Sequence, residues 1–398
     1  MKKITIVGRG TVGCIAVSHF LKWTDWKIDW VYDPEIQPAA VGEGTNLTLP
    51  RSLRENLLLN TDDMLALNAT NKLGISKRDW GKGGEFNHTF PIGVAGIHFN
   101  AVIFQDYVFN KLKNNPRLKL IERNIAVDDI DSDYIMVCTG TPTSFDDEYK
   151  LVEHIPVNAC VVSQCPWDYP KFNHTLTYAM PNGWVFGIPL QNRCAIGYIY
   201  NDKFATEEQI KLEAQELLTE LKLVPSVQRS LKFNNYYKKE NFTDRIIYNG
   251  NASFFLEPLE ATSTGVACII NRLAIDLFNS DTDIKKANEF YHKTLNEIEA
   301  MICLHYFAGS SFNTDFWNYA KKLGTKKIGT MMAYENPFSN MINSVYAPPD
   351  VQNKIMGSNK EVGTWPLISY IANIEGLGIK DKLRNYISVE DERIRKPY

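Results

Sequence analysis

The sequence predicts an α/β fold: a Rossmann-type domain on a parallel sheet, a β-rich insert and a C-terminal helical cap. Three observations predict it. The chain opens on an apolar run, a glycine-rich turn and an amphipathic helix, "KITIVGRGTVGCIAVSHFLKW". Two later apolar runs, "LKLIE" (118–122) and "DYIMVCTGTP" (133–142), can join the first strand in one sheet. From about 150 to 200 the texture changes to short β-rich runs between Pro, Asn and Gly turns, the pattern of antiparallel strands.

In the opening element, Gly8, Gly10 and Gly13 supply G-x-G-x-x-G between strand and helix. Glycines at this spacing permit a tight turn, close approach of a pyrophosphate and close helix–sheet packing. The helix N-terminus, with Thr11 and Val12, then faces the anion. Val12, Ile15, Ala16, His19, Phe20 and Trp23 recur at helical spacing on one face. The next strand, "KIDWVYD", ends at Asp33, twenty residues after Gly13, where a carboxylate can hold a ribose hydroxyl. A second glycine-rich loop at 39–48 carries Gly42, Glu43, Gly44 and Thr45. A simple nicotinamide dehydrogenase proceeds more often to another βαβ unit, so this loop favours a flavin.

Further on, "ATEEQIKLEAQELLTELKL" is a helix that begins with a capping box, Thr206 and Gln209. "DRIIYNGNASFFLEPLEATSTG" returns to strand and loop and leads into the helix "VACIINRLAIDLF". Residues 283–306 form a long helix, with Ile284, Tyr291, Ile298 and His305 on a seven-residue period too short for a coiled coil. The chain therefore divides into a dinucleotide-binding part (1–145), a β-rich insert (146–235), a return to the first domain (236–282) and a helical cap (283–398).

Composition bounds the function. A net charge of −3 leaves no electrostatic footprint for nucleic acid or an anionic membrane. Seven cysteines without a C-x-x-C pair fit reduced thiols in a cytosol-like compartment and argue against a structural zinc site. The apolar run in "MKKITIVGRG" breaks at Gly8, so no signal-peptide core forms, and no apolar stretch is long enough to span a bilayer. A cytoplasmic protein is expected, and a homo-oligomer is compatible with the sequence.

Six motifs then line up in order: "VGRGTVG" with Asp33, "VGEGT", "NATNKLGI", "NHTFPIG", "GWVFGIP" and "FLEPLEATSTG", followed by "HYFAGSSFNTDFW". In this order they resemble the flavin-dependent halogenases of the tryptophan-halogenase type, over roughly residues 4 to 317. The resemblance implies an FAD-binding domain of the flavin monooxygenase kind. It implies chemistry in which reduced FAD (FADH2), dioxygen (O2) and a halide (chloride, bromide or iodide) yield hypohalous acid. That oxidant would halogenate a small electron-rich aromatic substrate, indole- or phenol-like. A separate flavin reductase would supply FADH2, because no second dinucleotide site is evident.

By the same resemblance, Lys72 and Glu260 are the catalytic pair and Thr264 and Gly265 hold the halide. His88 and Phe90 sandwich the substrate ring, and Trp184, Phe186, Ile188 and Pro189 wall it from the flavin. The chain departs from the family pattern at Phe186, which replaces a Trp, and at Glu260–Gly265, where the family's E-S-T-G is lengthened. Pro91 and Ile92 also separate Phe90 from its Gly. Residue type alone leaves plainer readings open. Lys72 can be a solvated helix lysine, His88 a satisfied core histidine, 262–265 a helix cap and 184–189 core packing. An apolar setting is expected to raise the pKa of Glu260 toward the range useful to an acid–base group, Glu257 to make structural hydrogen bonds and His98 to pack. Two other functions stay open: an FAD-dependent monooxygenase or oxidase, and a non-catalytic flavin-binding redox sensor.

Overall fold

A computed structural model describes residues 2–36, 43–357 and 364–387. Five parallel strands form the first sheet in the order Ile246–Tyr248, Tyr134–Val137, Lys3–Val7, Lys27–Tyr32 and Leu118–Glu122. In the central strand Ile4, Thr5, Ile6 and Val7 are all buried, as a parallel strand covered on both faces requires. The helix Thr11–Trp23 lies between this sheet and the helix Ser263–Phe278, and its buried side includes Ile15, Ala16, His19 and Phe20.

A second sheet of seven strands runs Val227–Lys232, Ala159–Pro166, Arg193–Tyr200, Gly183–Pro189, Thr175–Met180, Gly74–Arg78 and Glu85–Thr89. Five of these come from the expected insert. The last two come from the first 145 residues, which the sequence placed in the dinucleotide-binding part. Gly74–Arg78 joins by parallel pairing with Thr175–Met180, Ile75 opposite Thr175. Such a contact between distant segments has no local signature. The expected edge of the insert at 146 therefore does not coincide with the edge of its sheet. Lys72 ends the short strand Thr70–Lys72, paired with Gly96–His98, and does not lie on a helix.

The helix Glu207–Glu220 begins with the expected capping box of Thr206 and Gln209. The long helix spans Ile284–Ala308 and packs against Asp315–Met332. At their crossing a Cβ on Gly324 would lie 2.4 Å from the Phe307 backbone nitrogen, so the helices approach through a bare backbone. This contact fixes the turn that carries His305. Gly324→Ala is expected to force the helices apart and to lower stability by about 1–3 kcal/mol, read as a lower Tm on thermal unfolding. No helix among the described residues is long and apolar enough to cross a membrane.

Candidate active site

Local packing explains two of the three N-terminal glycines, and the third is left open. Gly8 has φ +112°, and a Cβ there would sit 2.3 Å from the Cys138 carbonyl oxygen. A Cβ on Gly13 would sit 2.1 Å from the Gly8 carbonyl oxygen. Gly10 differs: it caps the helix without a side-chain hydrogen bond, and a Cβ on it would meet no atom of the described residues within 4 Å. Cys14 N–H donates to the Gly10 carbonyl at 3.0 Å, so the Thr11, Val12 and Gly13 amides precede the first helical bond. Open space over three free amides is what a dinucleotide pyrophosphate needs, and these residues fit FAD. Asp33 lies just beyond the second strand, half-buried, and accepts from the Glu35 amide at 2.9 Å.

The second glycine loop departs from expectation. Gly42 lies outside the described residues. Glu43, expected at the cofactor, is buried with both oxygens on Arg193, at 2.5 and 3.1 Å, and it also accepts from the Ala101 amide at 3.3 Å. Its carboxylate anchors the loop to the second sheet. Thr45 is pinned to the strand Gly96–His98 through its amide and its hydroxyl. Its carbonyl accepts from Lys72 Nζ at 2.9 Å. A Cβ on Gly44 would lie 3.9 Å from Ala261 Cβ and 4.0 Å from Ile188 Cδ1. Three motifs distant in sequence thus meet at one point.

At the start of the helix Ser263–Phe278, Thr262 offers no side-chain cap, and buried Thr264 Oγ1 has no hydrogen-bond partner among the described residues. Val266 N–H is bonded to the Thr262 carbonyl at 3.0 Å, so the Thr264 and Gly265 amides precede the helical ladder. Free amides plus an orphaned hydroxyl fit a small anion. Just before this cradle, Glu260 and Ala261 have φ of 71° and 51°, left-handed values that cost an ordinary residue on the order of 1 kcal/mol or more.

The substrate-side residues come together. Lys72 is buried, its Nζ 5.7 Å from the Phe90 ring centroid, and burial pushes its pKa down to about 8. His88 stands edge-on to Phe90 with centroids 5.8 Å apart. Its Nε2 meets Ser369 Oγ at 3.1 Å, its Nδ1 has no partner among the described residues, and burial pushes its pKa down to about 4. Glu260 does not contact Lys72. Its Oε1 accepts from Lys77 Nζ at 2.5 Å, with His305 Nε2 at 3.3 Å. Burial alone would raise its pKa, but the Lys77 ammonium and His305 hold it well below the usual carboxylate range. This corrects the expectation that apolar surroundings raise Glu260. Lys77 and Asn373 carry no signature in the sequence, and His305 is legible there only as a member of a packed core helix.

Trp184, Phe186 and Ile188 share one face of the strand Gly183–Pro189. Trp184 is buried, 6.3 Å from both Trp80 and Phe186, and its Nε1 donates to Glu257 Oε2 at 2.8 Å. A Cβ on Gly197 would overlap the Phe186 ring, so bare backbone makes room for it. The Pro189 carbonyl accepts from Thr70 Oγ1 at 2.6 Å, tying this strand to the one bearing Lys72. Tyr306 OH also donates to Glu257 Oε2, at 3.0 Å. His98 is fully buried and bonded to Thr175 Oγ1 at 2.8 Å, in keeping with a packing role.

Burial raises Glu257 to about 8, against the two hydrogen bonds, so the folded protein holds it protonated at neutral pH. Its stabilisation is full below 4.5, the unfolded value, and is lost as pH rises to about 8. The expected slope is about 1.4 kcal/mol per pH unit. Glu257→Gln keeps an acceptor for both donors and removes the titration. Its Tm should match the parent's near pH 5 and exceed it near pH 8 (both approximate). Equal Tm values for the two proteins at the higher pH would show that Glu257 is ionised in the fold.

Comparisons with known proteins bear on the family and the fold. The protein-family model described as tryptophan halogenase matches residues 3–150 and 143–380. The tryptophan 7-halogenase RebH of Lentzea aerocolonigenes is 29% identical over 186 residues, 44% of this chain and 34% of the relative. The tryptophan 6-halogenase ThaL of Streptomyces albogriseolus is 26% identical over 191 residues, again 44% and 34%. The match thus spans about a third of the length of these curated relatives. A solved tryptophan halogenase from Shewanella frigidimarina has the same fold, with a TM-score of 0.75 at 18% identity, covering 99% of this chain and 94% of that one. With most of its length matched, the chain belongs to the tryptophan halogenase family.

Proposed function

We propose that the chain is a flavin-dependent halogenase that places a halogen on an electron-rich aromatic substrate. The observation that carries this reading is the position of Lys72. A buried amine with a depressed pKa lies beside Phe90 and is hydrogen-bonded to the loop that closes the flavin side. When bound, reduced FAD supplies the two electrons that let dioxygen oxidise a halide to hypohalous acid. Gly8, Gly10 and Gly13 with the Thr11 and Val12 amides hold the pyrophosphate, and Asp33 holds the ribose. Thr264 and Gly265 hold the halide.

Trp184, Phe186, Ile188 and Pro189 keep the aromatic substrate from the flavin. Lys72 receives hypohalous acid and directs its halogen to the ring stacked between His88 and Phe90. As the C–X bond forms, Glu260 accepts the displaced ring proton; a carboxylate held ionised can do so at neutral pH. Reduced flavin comes from a separate reductase, and the buried free thiols suit a reducing cytoplasm. Reduced FAD, dioxygen and each halide in turn, with a panel of indoles and phenols, test this reading. Mass spectrometry should find products in which one hydrogen is replaced by the supplied halogen. Products that are the same with and without halide would overturn it.

A further inference from the structure

Lys77 lies five residues after Lys72 and is fully buried on the strand Gly74–Arg78. Its Nζ contacts three acceptors: Glu260 Oε1 at 2.5 Å, His305 Nε2 at 2.5 Å and Asn373 Oδ1 at 2.7 Å. The histidine's role follows from its other nitrogen, which donates to the Met301 carbonyl at 2.9 Å and so leaves Nε2 as a lone pair. An ammonium has three N–H bonds, and here all three are used. The acceptors come from the loop before the halide cradle, the helix Ile284–Ala308 and the helix Leu367–Gly376. One side chain thereby locks the carboxylate that sits on a left-handed backbone.

The other titratable groups facing Glu260 are His305, His88 and Lys72. Burial depresses both histidines, and Lys72 is bonded to Thr45 instead. Lys77 is therefore the cation in direct contact with the carboxylate. Resting on the halogenase reading above, we propose that Lys77 is a positioning residue that keeps Glu260 an oriented carboxylate and so leaves Lys72, without a carboxylate partner among the described residues, free to handle the oxidant. The two lysines divide the work. A buried carboxylate without a cation takes up a proton, as Glu257 does in this same fold. A protonated Glu260 could not accept the ring proton.

The test compares the parent with Lys77→Met, Lys77→Arg, Glu260→Gln and the double variant Lys77→Met/Glu260→Gln. Halogenated product per flavin oxidised is measured from about pH 6 to about pH 9, alongside thermal unfolding over the same range. In Lys77→Met the yield should fall about tenfold or more near the acid end and recover as pH rises, a limb the parent lacks. Lys77→Arg, which keeps the charge, should restore most of the parent profile. Relative to the parent, Lys77→Met should also lose stability as pH rises, because its buried carboxyl must ionise, and the double variant should lack that added slope. The double variant, whose neutral pair avoids a lone buried charge, should halogenate at the rate of Glu260→Gln alone, since Lys77 acts through Glu260.

An unchanged pH profile in Lys77→Met with no added unfolding slope would overturn the proposal. So would a double variant whose loss is the product of the two single losses. If the unfolding slope appears while no protein, parent included, halogenates any substrate, the ion pair stands and the halogenase reading fails.

Discussion

Gly10→Val is expected to abolish FAD binding and leave the protein folded. The two halves of that result have separate causes. The backbone at Gly10 has φ −67°, which any residue adopts, and no atom of the described residues lies within 4 Å of a Cβ there. The added Cβ therefore meets no steric conflict among the described residues. It does fill the space in front of the Thr11 and Val12 amides, where the pyrophosphate would lie. Affinity should fall by about a hundredfold or more, equivalent to about 3 kcal/mol. Gly13→Ala provides the contrast. A Cβ there lies 2.1 Å from the Gly8 carbonyl oxygen, so this variant should lose the fold itself. Circular dichroism and flavin fluorescence titration separate the two cases. Parent-like FAD affinity in folded Gly10→Val would place the cofactor elsewhere.

Lys72→Ala is expected to consume reduced flavin and oxygen and yet yield almost no halogenated product. In the proposed mechanism, oxidation of the halide needs only the flavin side, assigned to Gly10, Thr264 and Gly265, and Lys72 is bonded to the Thr45 carbonyl. What the variant loses is the amine proposed to guide the oxidant past Phe90. Glu260→Gln should slow halogenation about a hundredfold, the usual effect of losing an acid–base group, again with flavin oxidation continuing. Flavin absorbance and product are followed in one reaction for each variant. Halogenation by Lys72→Ala at the parent rate would make the lysine a structural residue.

What the sequence made legible was whatever depends on neighbours along the chain. The requirement for glycine at 8, 10 and 13 follows from one strand–turn–helix, and the capping box at Thr206 and Gln209 is a four-residue device. His305 shared a packed face with Tyr291 and Ile298, so its burial could be read but its partner could not. The partner of Glu43 was not legible because Arg193, which pairs with it, lies 150 residues away. Lys77 escaped notice for the same reason: its strand enters the second sheet by pairing with Thr175–Met180. The pKa of Glu260 was expected in the wrong direction because an apolar local sequence hid the cation supplied from that strand. Nor does Glu-Ala at 260–261 announce a left-handed turn, which glycine or asparagine ordinarily marks.

The central claim is that oxygen stays on the flavin side while halogen crosses to the substrate. Turnover under heavy-isotope dioxygen with bromide, reduced FAD and an aromatic substrate tests it most directly. The arrangement of Trp184, Phe186, Ile188 and Pro189 predicts a brominated product with no heavy oxygen, the label ending in water. Heavy oxygen on the aromatic product, with or without bromide, would mean that the substrate meets the flavin directly and would contradict the account.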